Sequence, residues 1–225
     1  MKEKLTINRL KNEAKVFCIN ESKYINKSLF GITDGKAVGT YIEHKFKEQL
    51  NKKYITTLGS SAHGIDLPAE DILTDIKVTS IKQPQSSCPF KDAKQKIFGL
   101  GYNLLVFVYN KIDNSNDKTT TLDFVSCTFI SKERTSDYTT TYRLREMIND
   151  NANLEDIISY LNDKNIPADE ITLNHLAKQI LKSPPIQGYL TISNALQWRL
   201  QYQRVVDLNE NIQGISKVID KVTIL

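Results

Sequence analysis

The stretch GIDLPAEDILTDIKVTS, residues 64–80, carries most of the information on the fold, because it reads as two strands joined by a tight polar turn. The pattern predicts strands over residues 63–68 and 72–81. The residues between them, Ala69-Glu70-Asp71, are typical of a turn. In the second strand, side chains alternate between the two faces of a sheet, which sets Asp75 and Lys77 on one face.

Two carboxylates are expected to face each other in this strand pair. A loop of two or of four residues gives the same register, in which Asp66 lies opposite Asp75, whereas an odd loop length turns Asp66 to the other face. Directly opposed like charges destabilise a strand pair and call for a compensating cation. Lys77 supplies one positive charge, and a divalent metal supplies more. A pocket of carboxylate oxygens suits Mg²⁺ or Mn²⁺ rather than zinc.

Two carboxylates, a lysine and Mg²⁺ together form a site for phosphodiester hydrolysis. The metal lowers the pKa of a bound water and neutralises charge on the phosphate. Lys77 can orient or deprotonate the attacking water and stabilise developing negative charge. Glu43 can provide a third carboxylate or support the ligands. It lies on a helix predicted over residues 38–50 from apolar spacing, with Thr40 as its N-cap.

These residues resemble the signature of the PD-(D/E)-x-K nucleases. Asp66 is followed, after eight intervening residues, by Asp75-Ile76-Lys77. Glu43 resembles the helix glutamate that many members carry before this motif. The order of predicted elements over residues 38–110 also matches the core of that superfamily, and the resemblance is to its type II restriction endonucleases. Gly99 stands where the RecB-like branch has a tyrosine, which argues against that branch.

The resemblance implies a fold, a reaction and partners. The implied fold is α/β (α+β), a restriction-endonuclease-like core with a central mixed β-sheet flanked by helices. The implied reaction is Mg²⁺-dependent cleavage of double-stranded DNA at a specific short sequence, leaving a 5′-phosphate, with Mn²⁺ as a substitute metal. Asp66, Asp75 and the backbone carbonyl of Ile76 are then the metal ligands, Lys77 positions water, and Glu43 assists. Members of this length are typically homodimers.

Two other interpretations remain open. A repair or junction-resolving nuclease can share the same core and the same site and differ in its DNA substrate. A DNA-binding module that kept the fold and lost catalysis binds DNA without Mg²⁺ and without cleavage. The intact set of two aspartates and a lysine argues against the second alternative.

Polar residues around the two strands are predicted to contact DNA. The segment Gln83–Pro89 reads as a polar loop after the second strand, and a Gly/Ser segment precedes Asp66. Glutamine can bond adenine with two hydrogen bonds, and serine can bond several base edges or phosphates. The candidate DNA-binding residues are Lys82, Gln83, Gln85, Ser86, Ser87, Lys91, Ser60 and Ser61.

The rest of the chain completes the α/β pattern. Residues 1–30 read as weakly structured or helical, and a helix over residues 91–100 precedes buried strands over 103–109 and 121–130. Beyond residue 140 helices are predicted over 142–149, 154–161, 170–181 and 192–206, with Asp169 and Ser193 as caps. We therefore predict a catalytic core over residues 1–135. A helical region over 136–225 is expected to pack on it as one domain and to serve DNA contact, dimerisation or both.

Composition excludes several other classes. The chain has 225 residues, of which 40% are hydrophobic and 25% charged, as in ordinary globular proteins. The net charge of +4 allows an anionic partner without requiring one. The three cysteines form no CxxC pair, which argues against structural zinc and for a reducing, cytoplasmic location. No apolar run approaches 18 residues, so neither a signal segment nor a membrane span is expected.

Overall fold

The computed structural model describes residues 2–57, 59, 64–88, 92–193 and 198–221. It confirms the mixed α/β class, with a curled central sheet flanked by helices, which is consistent with a restriction-endonuclease-like fold. A 3₁₀ turn over Lys132–Arg134 also lies between the last long strand and the helices that follow it. The helices and strands follow one another in this order: β1 (Glu3–Lys4), α1 (Ile7–Glu21), β2 (Ile25–Asn26), α2 (Gly35–Lys53), β3 (Tyr54–Ile55), β4 (Thr74–Ser80), β5 (Gln85–Cys88), α3 (Lys94–Phe98), β6 (Asn103–Asn114), β7 (Thr119–Ile130), α4 (Tyr138–Asn149), α5 (Leu154–Asp163), α6 (Glu170–Lys182), β8 (Thr191–Ile192), β9 (Trp198–Gln201), α7 (Gln203–Val206) and β10 (Ile215–Asp220).

The central sheet has the strand order β10-β7-β6-β4, with β2 paired to β7. Strand β4 runs parallel to β6, and the other pairings are antiparallel. The two strands predicted after residue 100 are present but extend further, since β6 reaches Asn114 and β7 begins at Thr119. Strand β4, which carries the aspartate and lysine of the motif, lies at the end of this order.

Helices α1 and α2 cover one face of the sheet. The predicted apolar stripe of α2 is buried, and it packs with α1 around a cluster of four phenylalanine rings, Phe17, Phe46, Phe107 and Phe124. The N-cap expected at Thr40 is wrong. The helix begins at Gly35, because the Asp34 carboxylate accepts a hydrogen bond from the N–H of Lys36 at 2.9 Å. Glu43 is therefore in the middle of α2 and takes no part in a capping box.

The opposite face of the central sheet packs against a small three-stranded sheet of order β5-β9-β8. Two predictions are wrong here. The segment expected as a polar loop, Gln83–Pro89, contains β5, and the segment expected as a helix over residues 192–206 contains the end of β8, β9 and the short α7. The Ser193 hydroxyl accepts a hydrogen bond from the N–H of Arg199 at 3.3 Å, and residues 194–197, which it was expected to cap, lie outside the described residues. The backbone pairing of β5 with β9 replaces the local preference of each segment.

Helices α3 to α6 form a third apolar cluster. The predicted helix over residues 91–100 is shorter, Lys94–Phe98, and ends at Gly99, whose φ of +93° favours glycine. The cap predicted at Asp169 is confirmed, since its side chain accepts from the N–H of Thr172 at 2.7 Å. After α6 the chain returns to the central sheet as β10, so the region beyond residue 135 is only partly helical. The domain division near residue 135 stays a prediction. Within the described ranges, no helix has the length and apolar character that a membrane span requires.

Candidate active site

A single antiparallel bridge brings the two aspartates of the motif together. Leu67 and Thr74 exchange backbone hydrogen bonds of 2.9 and 3.0 Å. This is the register expected for an even loop. Asp66 therefore lies opposite Asp75, in the pair of residues next to the bridge. The first strand of the predicted pair is reduced to this one bridge, whereas the second is the regular strand β4.

The turn between the two aspartates is clamped by the neighbouring strand. Leu73 has a φ of +32°, which side chains rarely adopt. Its carbonyl accepts from the N–H of Asn103 at 2.8 Å, and the Asn103 side chain donates to the carbonyl of Ile72 at 2.7 Å. Asn103 is the first residue of β6, and every residue of β4 pairs with β6. The hydrogen bonds from Asn103 therefore fix the position of the turn relative to the central sheet.

Asp66 is the ionised member of the pair. Its Oδ2 accepts a hydrogen bond from the backbone N–H of Ile76 at 2.8 Å, and its Oδ1 accepts one from Lys47. Burial alone raises the pKa of this carboxyl, but the hydrogen bonds from Asp75, Lys47 and the Ile76 N–H outweigh burial. The pKa of Asp66 therefore lies below its usual value.

Asp75 is the protonated member of the pair at moderately acidic pH. Burial and the opposed Asp66 raise the pKa of Asp75 to about 7, although Lys77 acts in the opposite direction. The Lys77 Nζ lies 2.7 Å from Asp75 Oδ2. That contact is an ion pair without the geometry of a directed hydrogen bond, so a buried carboxylate oxygen is left poorly satisfied. The ion pair with Asp75 also raises the pKa of Lys77 against the effect of burial.

Glu43 reaches the site only through a second lysine. Lys47 Nζ lies 2.6 Å from Glu43 Oε1 and also contacts Asp66. Burial lowers the pKa of Lys47, but its hydrogen bonds to Asp66 and Glu43 raise it by more. The sequence indicated that Glu43 and Lys47 share one helix face at a spacing of four residues, but it contained no signal for the contact with Asp66.

The carboxylate pair fits a divalent cation. Within the described ranges no cluster of three or more His, Cys, Asp or Glu side chains has the geometry to hold a metal. Two carboxylates suffice for Mg²⁺, because this ion keeps several waters and is commonly held by one or two carboxylates. Burial and the opposed Asp66 raise the pKa of Asp75, and one of its oxygens is poorly bonded, so a cation bound between the two carboxyls would favour the ionised form. The backbone carbonyl of Ile76 stays a predicted third ligand.

A groove of about 980 Å³ begins at Val78, the residue after Lys77. Most of the predicted DNA-binding residues line it, namely Lys82, Gln83, Gln85, Ser86 and Ser87. Ser60, Ser61 and Lys91 lie outside the described residues. Three cationic side chains that were not predicted also line the groove, Lys36, Lys111 and Arg199, together with one carboxylate, Asp113. The lining is therefore mainly positive, which favours a polyanion.

Comparisons with known proteins agree over most of the chain. A family model described as "Type II restriction enzyme NspV" matches residues 4–217. The type II restriction enzyme NspV of Nostoc sp. (strain ATCC 29411 / PCC 7524) is 52% identical over 214 residues, which is 95% of this chain and 96% of that enzyme. No solved structure matches the chain significantly. The matched range contains both aspartates, Lys77 and the groove.

Proposed function

The chain belongs to the NspV family of type II restriction enzymes and is a site-specific DNA endonuclease, and we propose that it uses Mg²⁺ to hydrolyse double-stranded DNA at the Asp66–Asp75–Lys77 site. One observation supports this site above all others. A buried carboxyl with a pKa raised to about 7 faces a second carboxyl and a lysine, directly beside a positively lined groove. The site residues, the metal and the DNA contacts are our assignments.

The two aspartates are assigned as metal ligands. Bound Mg²⁺, for which Mn²⁺ is expected to substitute, supplies positive charge to the scissile phosphate and lowers the pKa of a bound water. Asp66 is held by the Ile76 N–H and by Lys47, so its oxygens keep one orientation. Asp75 must lose its proton to ligate, and the raised pKa makes that loss the pH-sensitive step.

Lys77 is assigned as a hydrogen-bond donor and not as the base. Its pKa is raised by the ion pair with Asp75, so the ammonium form persists at neutral pH. A charged donor there orients the attacking water and stabilises negative charge on the phosphate oxygens. Attack by the water oxygen would break the bond from phosphorus to the 3′ oxygen, with the water's proton passing to solvent and the 3′ oxygen taking up a proton, so that the products are a 5′-phosphate and a 3′-hydroxyl.

Glu43 and Lys47 are assigned as positioning residues. Lys47 contacts both Glu43 and Asp66, so α2 fixes the position of the Asp66 carboxylate against the strand pair. The Lys47 side chain is only 13% exposed, which limits its freedom to leave Asp66. Neither residue needs to touch DNA or metal to act in this way.

A homodimer is the assembly that we propose. One chain presents one described pair of aspartates, whereas cleavage of both DNA strands is simplest with two sites related by two-fold symmetry. Light scattering of the purified enzyme tests this, and a mass of one chain at working concentration contradicts it. The three cysteines are buried and form no disulfide, which supports a reducing cytoplasm as the location.

The first test is digestion of a long unmethylated phage DNA with Mg²⁺ or with EDTA, beside an Asp75→Ala variant. Discrete Mg²⁺-dependent bands that the variant fails to produce support the proposal. A smear indicates a nuclease without fixed sites or one selective for DNA structure. Binding without cleavage indicates the non-catalytic alternative.

A further inference from the structure

We propose that the exposed face of the β5–β9–β8 sheet reads the bases of the recognition sequence, with Arg199 reading a guanine and Gln85 or Gln201 an adenine. This inference rests on the proposed DNA cleavage and extends it to the residues that select the sequence. Only Gln85 belongs to the DNA contacts predicted from sequence. Arg199 and Gln201 lie in the segment predicted as a helix.

The register of β5 and β9 sorts their side chains onto two faces. Gln85 pairs with Gln201, and Ser87 pairs with Arg199, so these four side chains share one face. Trp198 and Leu200 point to the other face and belong to the apolar core behind the sheet. Arg199, Gln201 and Ser87 are exposed, and Gln85 is half-buried. The outer face is therefore entirely polar, whereas the inner face is mainly apolar.

The composition of the outer face suits base edges. In the major groove of DNA, arginine bonds guanine with two hydrogen bonds, glutamine bonds adenine in the same way, and serine accepts several bases. In the described part of the chain, the side chains of this face form no hydrogen bond or ion pair with other side chains or with the backbone. These are the side chains of Arg199, Gln201, Gln85 and Ser87. Their donors and acceptors are thus available to a partner.

The dimensions also fit. Neighbouring strands lie about 4.8 Å apart, and the major groove is about 12 Å wide and admits a two-stranded ribbon. Arg199, Gln85 and Ser87 line the positively charged groove that begins beside Lys77. Lys36 and Lys82 line the same groove with no acidic side chain paired to them in the described residues, so they are suited to the phosphates that flank the bases.

The outer face is hydrogen-bonded to β4, the strand that carries Asp75 and Lys77. The Thr79 hydroxyl lies 3.1 Å from both the N–H and the carbonyl oxygen of Gln85 and 3.2 Å from the carbonyl oxygen of Gln83. Thr79 is two residues after Lys77 on β4, which is about 7 Å along a strand. A base bound by β5 is consequently held at a fixed distance from the scissile phosphate.

Ser86 does not belong to this face, although sequence predicted it as a DNA contact. Its hydroxyl lies 2.5 Å from the hydroxyl of the buried Tyr202, on the inner side of the sheet. The alternation along β5 therefore assigns Ser87 to DNA, whereas the hydroxyl of the half-buried Ser86 is bonded to Tyr202.

The test is selection of a random-sequence duplex library by the full-length enzyme, with Ca²⁺ in place of Mg²⁺ and with EDTA in parallel. We expect the wild type to enrich one short motif that contains guanine and adenine. Arg199→Lys keeps the charge but loses the planar fork, so it should relax one guanine position. At that position, discrimination of about tenfold or more should fall to within about threefold. Gln85→Ala or Gln201→Ala should relax an adenine position.

The matched control is Arg143→Lys on α4, because that arginine is 54% exposed, pairs with Glu146 and lies outside the groove. It should enrich the wild-type motif. Lys82→Ala should weaken binding to all sequences alike and reduce its salt dependence. Thermal unfolding of each variant checks the fold, and Arg199→Gln repeats the test should Arg199→Lys be less stable.

An unchanged motif in both Arg199 variants overturns the inference, as does a wild type that enriches no motif. A uniform loss of binding with a lower unfolding temperature also overturns it, because the role is then structural. Cleavage with Mg²⁺ is measured separately. An enzyme that cuts at fixed sites while the Arg199 variants keep their discrimination refutes only the reading face. One that enriches a motif and never cuts refutes only the proposed nuclease activity.

Discussion

Helix α2 contributes side chains to two clusters that contain carboxylates, and the clusters differ in how completely hydrogen-bond donors surround each carboxylate. On one side Gln49 and Lys53, with Tyr54, surround Glu13 of α1 with four hydrogen bonds of 2.8–3.0 Å. On the other side Lys47 contacts Asp66, and the neighbouring Asp75 contacts Asp66 and pairs with Lys77 but keeps one buried oxygen without a directed hydrogen bond from the described residues. Both clusters are buried, but only the first supplies directed donors to every carboxylate oxygen.

The pKa values follow from that difference. Burial raises the pKa of Glu13, but its hydrogen bonds from Lys53, Gln49 and Tyr54 outweigh burial and bring it below the usual value. The pKa of Asp75 moves upward to about 7, since burial and Asp66 outweigh Lys77. A carboxylate with a full set of donors stabilises the fold by itself. A buried carboxylate without them is a candidate functional group, in agreement with the cation that we propose for this site.

The largest expected effect on cleavage is that of Asp75→Ala. If Asp75 ligates the metal as proposed, its loss removes several kcal/mol of charge stabilisation, so we expect cleavage to fall by about a thousand-fold or more. Glu13→Gln is the matched control, because it changes a buried carboxylate on the other side of α2. It should keep the cleavage rate within about threefold of wild type once unfolded protein is accounted for. Timed digestion of plasmid DNA measures both variants, and similar losses in the two contradict the contrast.

Lys77→Met should lower the cleavage rate by about 10²–10⁴-fold while metal binding survives. In the proposed mechanism the ammonium acts on water and phosphate, whereas the carboxylates hold the metal. The rise in unfolding temperature on adding Mg²⁺ reports metal binding without requiring activity. A variant that loses this rise together with cleavage shows that Lys77 supports the ligands and does not act on the substrate.

Asp75→Asn should stabilise the metal-free protein at high pH. The carboxyl has a pKa of about 7 in the folded state against 3.8 in the unfolded state. Its ionisation therefore costs the folded state more than the unfolded state, and the free energy of unfolding falls as pH rises from about 4 to 7. Asparagine has no such loss, and the variant should gain roughly 2 kcal/mol at pH 8 in EDTA and almost nothing near pH 4. Urea unfolding at both pH values measures this, and an equal effect at both contradicts it. Adding Mg²⁺ should stabilise the wild type and not the variant.

Glu13→Gln should have the opposite sign and the smallest effect, a loss of about 1 kcal/mol at neutral pH. The pKa of Glu13 lies below 4.5, so its contribution is present above that value and is lost as pH falls through the folded pKa. The difference between wild type and variant should therefore shrink in acid, in the same urea experiment. A difference that grows in acid contradicts the assignment of Glu13 as a fully bonded carboxylate.

Local pattern was enough for the elements around the catalytic motif. The alternation in β4, the apolar stripe of α2 and the buried run of β6 are short-range signals, and each appears in the structure where expected. The opposed placement of Asp66 and Asp75 was expected only for an even loop length, and the structure has that register. Such features depend on neighbours within a few residues, which a single sequence displays.

The proposed recognition surface, by contrast, depends on contacts between residues far apart in the chain. The segment around Trp198–Gln201 has apolar residues that suit either a helix face or an alternating strand, and Gln85–Cys88 looks like a loop by composition. Each segment is a strand because it forms backbone hydrogen bonds with the other. The contact of Lys47 with Asp66 likewise needed α2 to pack against β4. Helical and strand periodicity are local properties of a sequence, whereas strand pairing and ion pairs between elements exist only once the chain has folded.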